Sequence, residues 1–152
     1  MGKIKSFRGL LASSGQETIH LHTNNGLMGY RMKKFEVIGK QPGTENVELT
    51  GKIYSMKQPN TPSTPVTSEI DFSDNTLLAV AYLEQNSGSN YQPGPIIIFD
   101  NVTFNQDIYL TCLDDSGSAR PMNYHIELEQ VKLDINESTV ATLKDIRNER
   151  LA

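Results

Sequence analysis

Hydrophobic and polar residues alternate along most of the 152-residue chain in short runs broken by turn-forming clusters, the pattern of antiparallel β-strands. The first run, Lys3 to Ala12, stops at Ser13-Ser14-Gly15. The second, Glu17 to Thr23, sets Ile19 and Leu21 on one face and His20 and His22 on the other. Asn24-Asn25-Gly26 then supplies residues that accept positive φ in a tight hairpin turn. A third run, Leu27 to Lys40, ends at Gln41-Pro42-Gly43. The fourth, Val47 to Gln58, opposes Val47, Leu49, Gly51 and Ile53 to Glu48, Thr50, Lys52 and Tyr54, and its central glycine predicts a bulge or a close backbone approach.

Residues 59–68, PNTPSTPVTS, carry three prolines and no alternation. They predict an extended surface loop rather than a linker, because neither half of the chain makes an independent core. Ile70-Asp71-Phe72 reads as a short strand. TLLAVAYL, residues 76–83, fits a helix or a buried strand, and its length and flanking turn residues favour the strand. NSGSNYQPG, residues 86–94, predicts a second polar loop with Tyr91 exposed at its tip. IIIFDNVTFNQDIYLTC, residues 96–112, gives two strands around a polar centre, and Met122 to Leu133 gives the last.

Only the C-terminus reads as helical. Asp134-Ile135-Asn136-Glu137 resembles a capping box. Val140, Leu143, Ile146 or Arg147, and Leu151 follow at three- and four-residue spacing, with Thr139, Lys144, Asp145, Asn148 and Glu149 on the wet side. A helix of about fifteen residues is marginal alone and has to dock on the sheet or on another subunit. The expected architecture is one all-β domain over residues 1–152, an antiparallel β-sandwich of jelly-roll type. It has an N-terminal arm or strand at 1–12 and a C-terminal α-helix at 134–151.

Composition narrows the functional classes. The apolar fraction of 37% and charged fraction of 21% are those of a polar globular chain. The formal net charge is −4 with basic residues scattered, so a phosphate-backbone footprint is missing and no nucleic-acid partner is expected. The single cysteine, Cys112, excludes an internal disulfide and a cysteine metal cluster. No apolar run approaches a secretory h-region or a membrane span, so a soluble protein made in a reducing cytosol, with no membrane partner, is expected. MGKIKS fits the bare myristoylation pattern, a short motif that also arises by chance.

Candidate chemistry gives way at each point to a structural reading. Asn101, Asn105 and Asp107 of the polar centre suit strand ends, where Asn and Asp side chains bond local backbone. A calcium loop would need a glycine bend, and none lies between residues 95 and 116. His20 and His22 would share a strand face about 7 Å apart, and His125 could in principle complete a metal set with them. Neither HExxH nor a cysteine pair accompanies them, so solvated or interface histidines are expected. Cys112 reads as a buried inert thiol, no GxSxG elbow or phosphate-cradling glycine loop occurs, and Asp114-Asp115 belong to the turn DDSGS. The expectation is therefore a protein that is not an enzyme, with no catalytic residues, cofactor, metal or small-molecule substrate.

The strings GLMGYRMKKFEVI, FDNVTFNQDIYLT and MNYHIELEQVKLDINESTVATLKDIRN resemble small virion structural proteins of marine tailed bacteriophages. The resemblance spans about residues 7–148 and is weaker in the loops. It implies a place in the virion, after synthesis in the host cytoplasm, and transfers no ligand or catalytic residue. The expected function is a capsid decoration or cement subunit that contacts the major capsid protein and copies of itself, as a trimer at quasi-threefold positions. The expected contact residues are Lys3, Lys5, Phe7 and Arg8 of the N-terminal arm and Val140, Leu143, Ile146 and Leu151 of the helix, although the same residues could pack within the chain. A tail, collar or adaptor subunit is the alternative in the same setting. A carbohydrate-binding module that meets host glycan through Tyr91 is the alternative of another class.

Overall fold

A computed structural model describes residues 2–21, 27–86, 90–134 and 142–143, with the side chains of residues 90–93 excepted. Its strands are β1 (Ile4–Leu11), β2 (Gly15–Ile19), β3 (Met28–Gly39), β4 (Val47–Tyr54), β5 (Leu77–Asn86), β6 (Asn90–Ile98), β7 (Ile108–Asp114) and β8 (Met122–Lys132). They form two antiparallel sheets packed face to face, a β-sandwich. One sheet has the order β1-β8-β3 and the other β2-β7-β4-β5-β6.

The period-2 alternation decides what each strand buries. In β8, Met122, Tyr124, Ile126 and Leu128 point inward while Asn123, His125, Glu127 and Glu129 are half-exposed. From β3, Met32 and Phe35 join them, and the facing sheet contributes Leu49, Ile53, Leu83, Ile108, Leu110 and Cys112, all into one core. Burial pushes the Cys112 thiol up to about 12, with Asp114 adding to the effect, so the thiol stays protonated and inert.

Gly51 is a close approach rather than a bulge. A Cβ there would meet Phe35 Cζ and Met122 Sδ, both at 3.0 Å, from the opposite sheet. The register of β4 shifts only later, between Ile53 and Tyr54. Residues 55–76 return over the outer face of β4. Lys52 Nζ donates to the Glu69 carbonyl at 2.6 Å, and Tyr54, Leu77 and Val80 make a small apolar cluster with Phe99. Desolvation lowers the Lys52 pKa, and Glu69 and Asp74 act against that shift.

Three expectations change. Ile70-Asp71-Phe72 is not a strand; Ile70 and Phe72 are exposed, since Asp71 turns the chain by accepting from the Ser73 N–H and hydroxyl. Residues 86 and 90–94 are strand rather than loop, because β5 and β6 continue their pairing as far as Asn86 and Asn90. The polar centre at 99–107 does not join neighbouring strands: β6 and β7 lie on opposite sides of the β4–β5 pair. The segment crosses between them and exchanges two backbone hydrogen bonds, at 2.7 and 3.0 Å, between Phe104 and Tyr30 of β3. The predicted helix at 134–151 lies outside the described residues apart from Asp134, which is not helical, and Thr142 and Leu143, which are. The Asn24-Asn25-Gly26 turn is also outside them.

The corner from β7 to β8 is held by Asp114. Its Oδ1 accepts from the backbone N–H of Glu48 (3.0 Å) and of Ser116 (3.0 Å), and its Oδ2 accepts from the N–H of Arg120 (2.8 Å). Burial would raise the carboxyl pKa, but the hydrogen bonds from Glu48, Arg120 and Ser116 outweigh it and the net shift is downward. A depressed folded pKa stabilises above the unfolded carboxyl value and loses that contribution as pH falls through the folded value. Asp114→Asn should therefore cost about 1–3 kcal/mol at neutral pH, measured by urea unfolding, with the gap from the parent narrowing in acid. Gly51→Val should cost about 1–3 kcal/mol through overpacking, and a double-mutant cycle with Met122→Ala should show coupling above about 0.5 kcal/mol.

Candidate functional site

The outer face of β1-β8-β3 is the candidate. The outer face of the five-stranded sheet is partly roofed by residues 55–76, whereas the outward side chains of the three-stranded sheet are exposed or half-exposed. Strand register sets them in four cross-strand rows: Leu10–Asn123–Ile38, Arg8–His125–Glu36, Ser6–Glu127–Lys34 and Ile4–Glu129–Arg31. Ile4 (49% exposed), Leu10 (47%) and Ile38 (43%) are large apolar side chains left in solvent. Between the upper rows lies an open concavity of ≈ 780 Å³ walled by Arg8, Leu10, Glu36, Ile38, Asn123 and His125.

Charge on this face alternates. Lys33 Nζ lies 3.9 Å from Glu129 Oε1, and Lys34 Nζ 3.7 Å from Glu36 Oε1. His125 stands between two carboxylates, with Nδ1 3.4 Å from Glu36 Oε1 and Nε2 3.9 Å from Glu127 Oε1. When protonated it pairs with both. Among the described residues, Arg8 makes no ion pair and Glu127 has none other than His125. Such exposed pairs contribute little stability, about 0–1 kcal/mol each. A face that mixes half-exposed isoleucine and leucine with alternating charge and an amide suits contact with another protein surface.

Beneath this face, β1 leans on Tyr124. A Cβ on Gly9 would fall 2.7 Å from the Tyr124 hydroxyl, so the absent side chain gives the ring its place. The Tyr124 hydroxyl donates to Glu17 of β2, tying the two sheets together where β1 and β2 turn apart. Burial first, and then Glu17, raise the Tyr124 pKa.

The residues expected to make contacts divide. Arg8 is on the outer face. Phe7 instead packs against the core, Lys5 points inward and is half-buried, and Lys3 precedes β1, its carbonyl accepting from the Gln130 N–H at 2.8 Å. The alternation of β1 puts odd and even positions on opposite faces, so these four residues are not one arm. Val140, Ile146 and Leu151 lie outside the described residues. Leu143 is 58% exposed, and its neighbour Thr142 accepts from Asn105 Nδ2 at 2.8 Å.

Tyr91 stands within β6, paired with Gln85, and not at a loop tip; its side chain is outside the description. His20, just after β2, lies against Asp107 (Nδ1 to Oδ2, 3.2 Å), and Asp107 Oδ1 accepts from the Leu21 N–H at 2.8 Å. His125 lies on the other sheet, and His22 is outside the described residues, among which no group of three His, Cys, Asp or Glu is placed to hold a metal. Of the polar centre, Asp107 thus bonds backbone at a crossing, while Asn105 donates to the Thr142 hydroxyl. Leu10, Glu36, Ile38 and Asn123 were missed at the sequence level. The even positions Ile4, Ser6, Arg8 and Leu10 carried the signal for one of those columns.

No protein-family model matches the chain, and a search of the curated proteins gives no match.

Because Leu10 and Ile38 are already half in water, Leu10→Ser and Ile38→Ser should each leave unfolding stability within about 0.5 kcal/mol of the parent, measured by urea titration. A larger loss would mean that the face is part of the fold's packing.

Proposed function

We propose that this chain is an assembly subunit, a jelly-roll β-sandwich that adheres to copies of itself and to a larger protein shell and performs no chemistry of its own. In the setting implied by the resemblance, it is a capsid decoration or cement protein, made in the host cytoplasm and carried in the virion, with the major capsid protein as partner. The carrying observation is the outer face of β1-β8-β3, with its half-exposed Ile4, Leu10 and Ile38 among alternating charges.

The strand order supports the jelly-roll reading. β1 pairs with β8 and β8 with β3, while β2 pairs with β7, β7 with β4 and β4 with β5. This is the nesting of first with last and second with seventh that two Greek keys produce. The departure is β6, which stays beside β5, while Phe104 from the segment after it reaches β3. Jelly rolls serve in viral capsids and in lectins alike, so the fold does not choose between functions and the face has to.

The mechanism is passive. Each copy covers a patch of shell or neighbour, and repetition over a symmetric surface turns modest contacts into avidity. The C-terminal stripe of Val140, Leu143, Ile146 and Leu151 belongs to the same reading as a helix that docks on the body or on a neighbouring subunit. Purified protein added to undecorated heads should bind saturably, and Leu10→Lys/Ile38→Lys should weaken that binding about tenfold or more. Absence of saturable binding overturns the capsid assignment. A copy number of about a dozen or fewer per particle, the size of a closed ring, would transfer the subunit to the tail or collar.

A further inference from the structure

A sheet edge presents unpaired backbone N–H and C=O groups, and proteins blunt such edges with prolines, bulges, charges or covering segments. Three of the four edges here are blunted by prolines, a bulge or a covering segment. β2 is five residues long and flanked by residues 58–60, through paired hydrogen bonds between Gln16 and Gln58 and one from Asn60 to the Ser14 carbonyl. β6 contains Pro93 and Pro95. β3 is bulged between Met32 and Lys34 and bridged on its outer side by Phe104. β1 has eight residues with no proline, no bulge and, among the described residues, no covering segment, so that only the charges of Lys5 and Arg8 guard it.

We infer that β1 is a homodimer edge, pairing antiparallel with β1 of a second copy about a twofold axis at Phe7. The inference rests on the assembly reading above and names how copies meet, replacing the expected threefold contact with a twofold one.

Backbone parity comes first. The Gln130 N–H donates to the Lys3 carbonyl, and Lys3 faces Gln130 if the β1–β8 register is continued by one residue. Directly opposed, hydrogen-bonded residues alternate along an antiparallel pair. The odd residues of β1 therefore spend their N–H and C=O groups on β8. Ile4, Ser6, Arg8 and Leu10 turn theirs to the open edge.

Side chains then choose the register. With the axis at Phe7, Ile4 faces Leu10 of the partner, Ser6 faces Arg8, and Lys5 faces Gly9; no two like charges oppose each other. Sliding by two residues one way sets Arg8 against Arg8, and the other way sets Ile4 against Arg8. Only the Phe7 register puts the two exposed apolar residues of β1 on each other, twice, and it does so with the even residues in the hydrogen-bonded positions that parity requires.

Charge agrees. The row Lys34–Glu127–Ser6 continues in the partner as Arg8–His125–Glu36. Arg8 and Glu127, left without a firm partner within one copy, then stand two strands apart, roughly 10 Å between Cα atoms, with only the small Ser6 between them. An arginine side chain spans that gap. The product is a continuous six-stranded sheet whose outer face doubles the candidate surface.

The test is the oligomeric state of the full chain by light scattering and sedimentation equilibrium, with three variants. Ser6→Pro removes an edge-facing N–H and spares the ladder to β8. Leu10→Lys breaks the apolar pair, and Ile4→Glu/Leu10→Lys restores it as an ion pair in the Phe7 register alone. We expect a dimer for the parent, dissociation constants raised about tenfold or more for Ser6→Pro and Leu10→Lys, and recovery in the double variant. A monomeric parent at 100-fold the concentration of the head-binding assay overturns the inference, as does a dimer indifferent to Leu10→Lys and to Ser6→Pro. Should Ser6→Pro fail to fold, the Leu10→Lys and double-variant pair decides. A monomer that still saturates heads refutes the twofold edge and leaves the assembly reading standing; a dimer that ignores heads does the reverse.

Discussion

The structure depends on how closely its two sheets approach. At Gly51 the backbone of β4 comes against Phe35 and Met122 of the opposite sheet, so close that a methyl group would sit 3.0 Å from both and force a neighbour to give. Around that contact the fully buried side chains Met32, Leu49, Ile53, Leu83, Leu110 and Ile126 fill a single layer. A layer of this kind tolerates little change of volume, because interiors pack near crystal density. Its tightness fixes the inward face of every strand, and pleating then fixes the outward face without further choice. The rows on β1-β8-β3 are therefore a consequence of the core: Arg8, His125 and Glu36 align because Phe7 and Gly9, Tyr124 and Ile126, and Phe35 and Val37 align beneath them.

Much of this was legible in the chain. Alternation located β1, β3 and β8 closely and the start of β4, length and flanking turn residues gave β5 as a strand, and the mid-strand glycine pointed to a bulge or a close approach, of which the second is found. Three things were not legible, each for a physical reason. Polar composition made residues 86–94 look like a loop, whereas pairing with β5 holds residues 90–94 extended whatever their propensity. The polar centre at 99–107 looked like a simple connection between two strands; nothing local tells the chain to step across β4 and β5 and hang Phe104 on β3. And the candidate face was only half visible. Its β1 column can be read from Ile4, Ser6, Arg8 and Leu10, but Glu36, Ile38 and Asn123 join it only through registers between strands distant in sequence.

The surfaces of the sandwich are treated unequally. Residues 55–76 lie along the outer side of β4, where a buried lysine is held by the Glu69 carbonyl and sits over the Tyr54 ring at 5.6 Å. Asp107 and Asp114 spend their carboxylates on backbone N–H groups at chain crossings, uses that satisfy donors which would otherwise be costly to bury. The remaining ionisable groups on the three-stranded sheet do no such work. Apart from Arg31, whose Nε donates to the Thr103 hydroxyl at 3.1 Å, those on its outer face meet only in loose pairs across solvent or, like Arg8, make none among the described residues, and they coincide with the exposed Ile4, Leu10 and Ile38.

On the proposed assembly reading, that coincidence bears on how a subunit would avoid sticking indiscriminately. An apolar face without charges adheres to anything, and an edge strand without charges invites aggregation. Here Lys5 and Arg8 lie within β1 itself, so a foreign strand, or a second copy in the wrong register, meets an unpaired cation at the moment of pairing. In the proposed dimer, one alignment would relieve that penalty by giving Arg8 a serine to lie over and a glutamate beyond it. In the proposed dimer Arg8 would thus help select the register in which copies join, and a shell gathering copies at high local concentration would supply the condition under which a selective but modest contact closes.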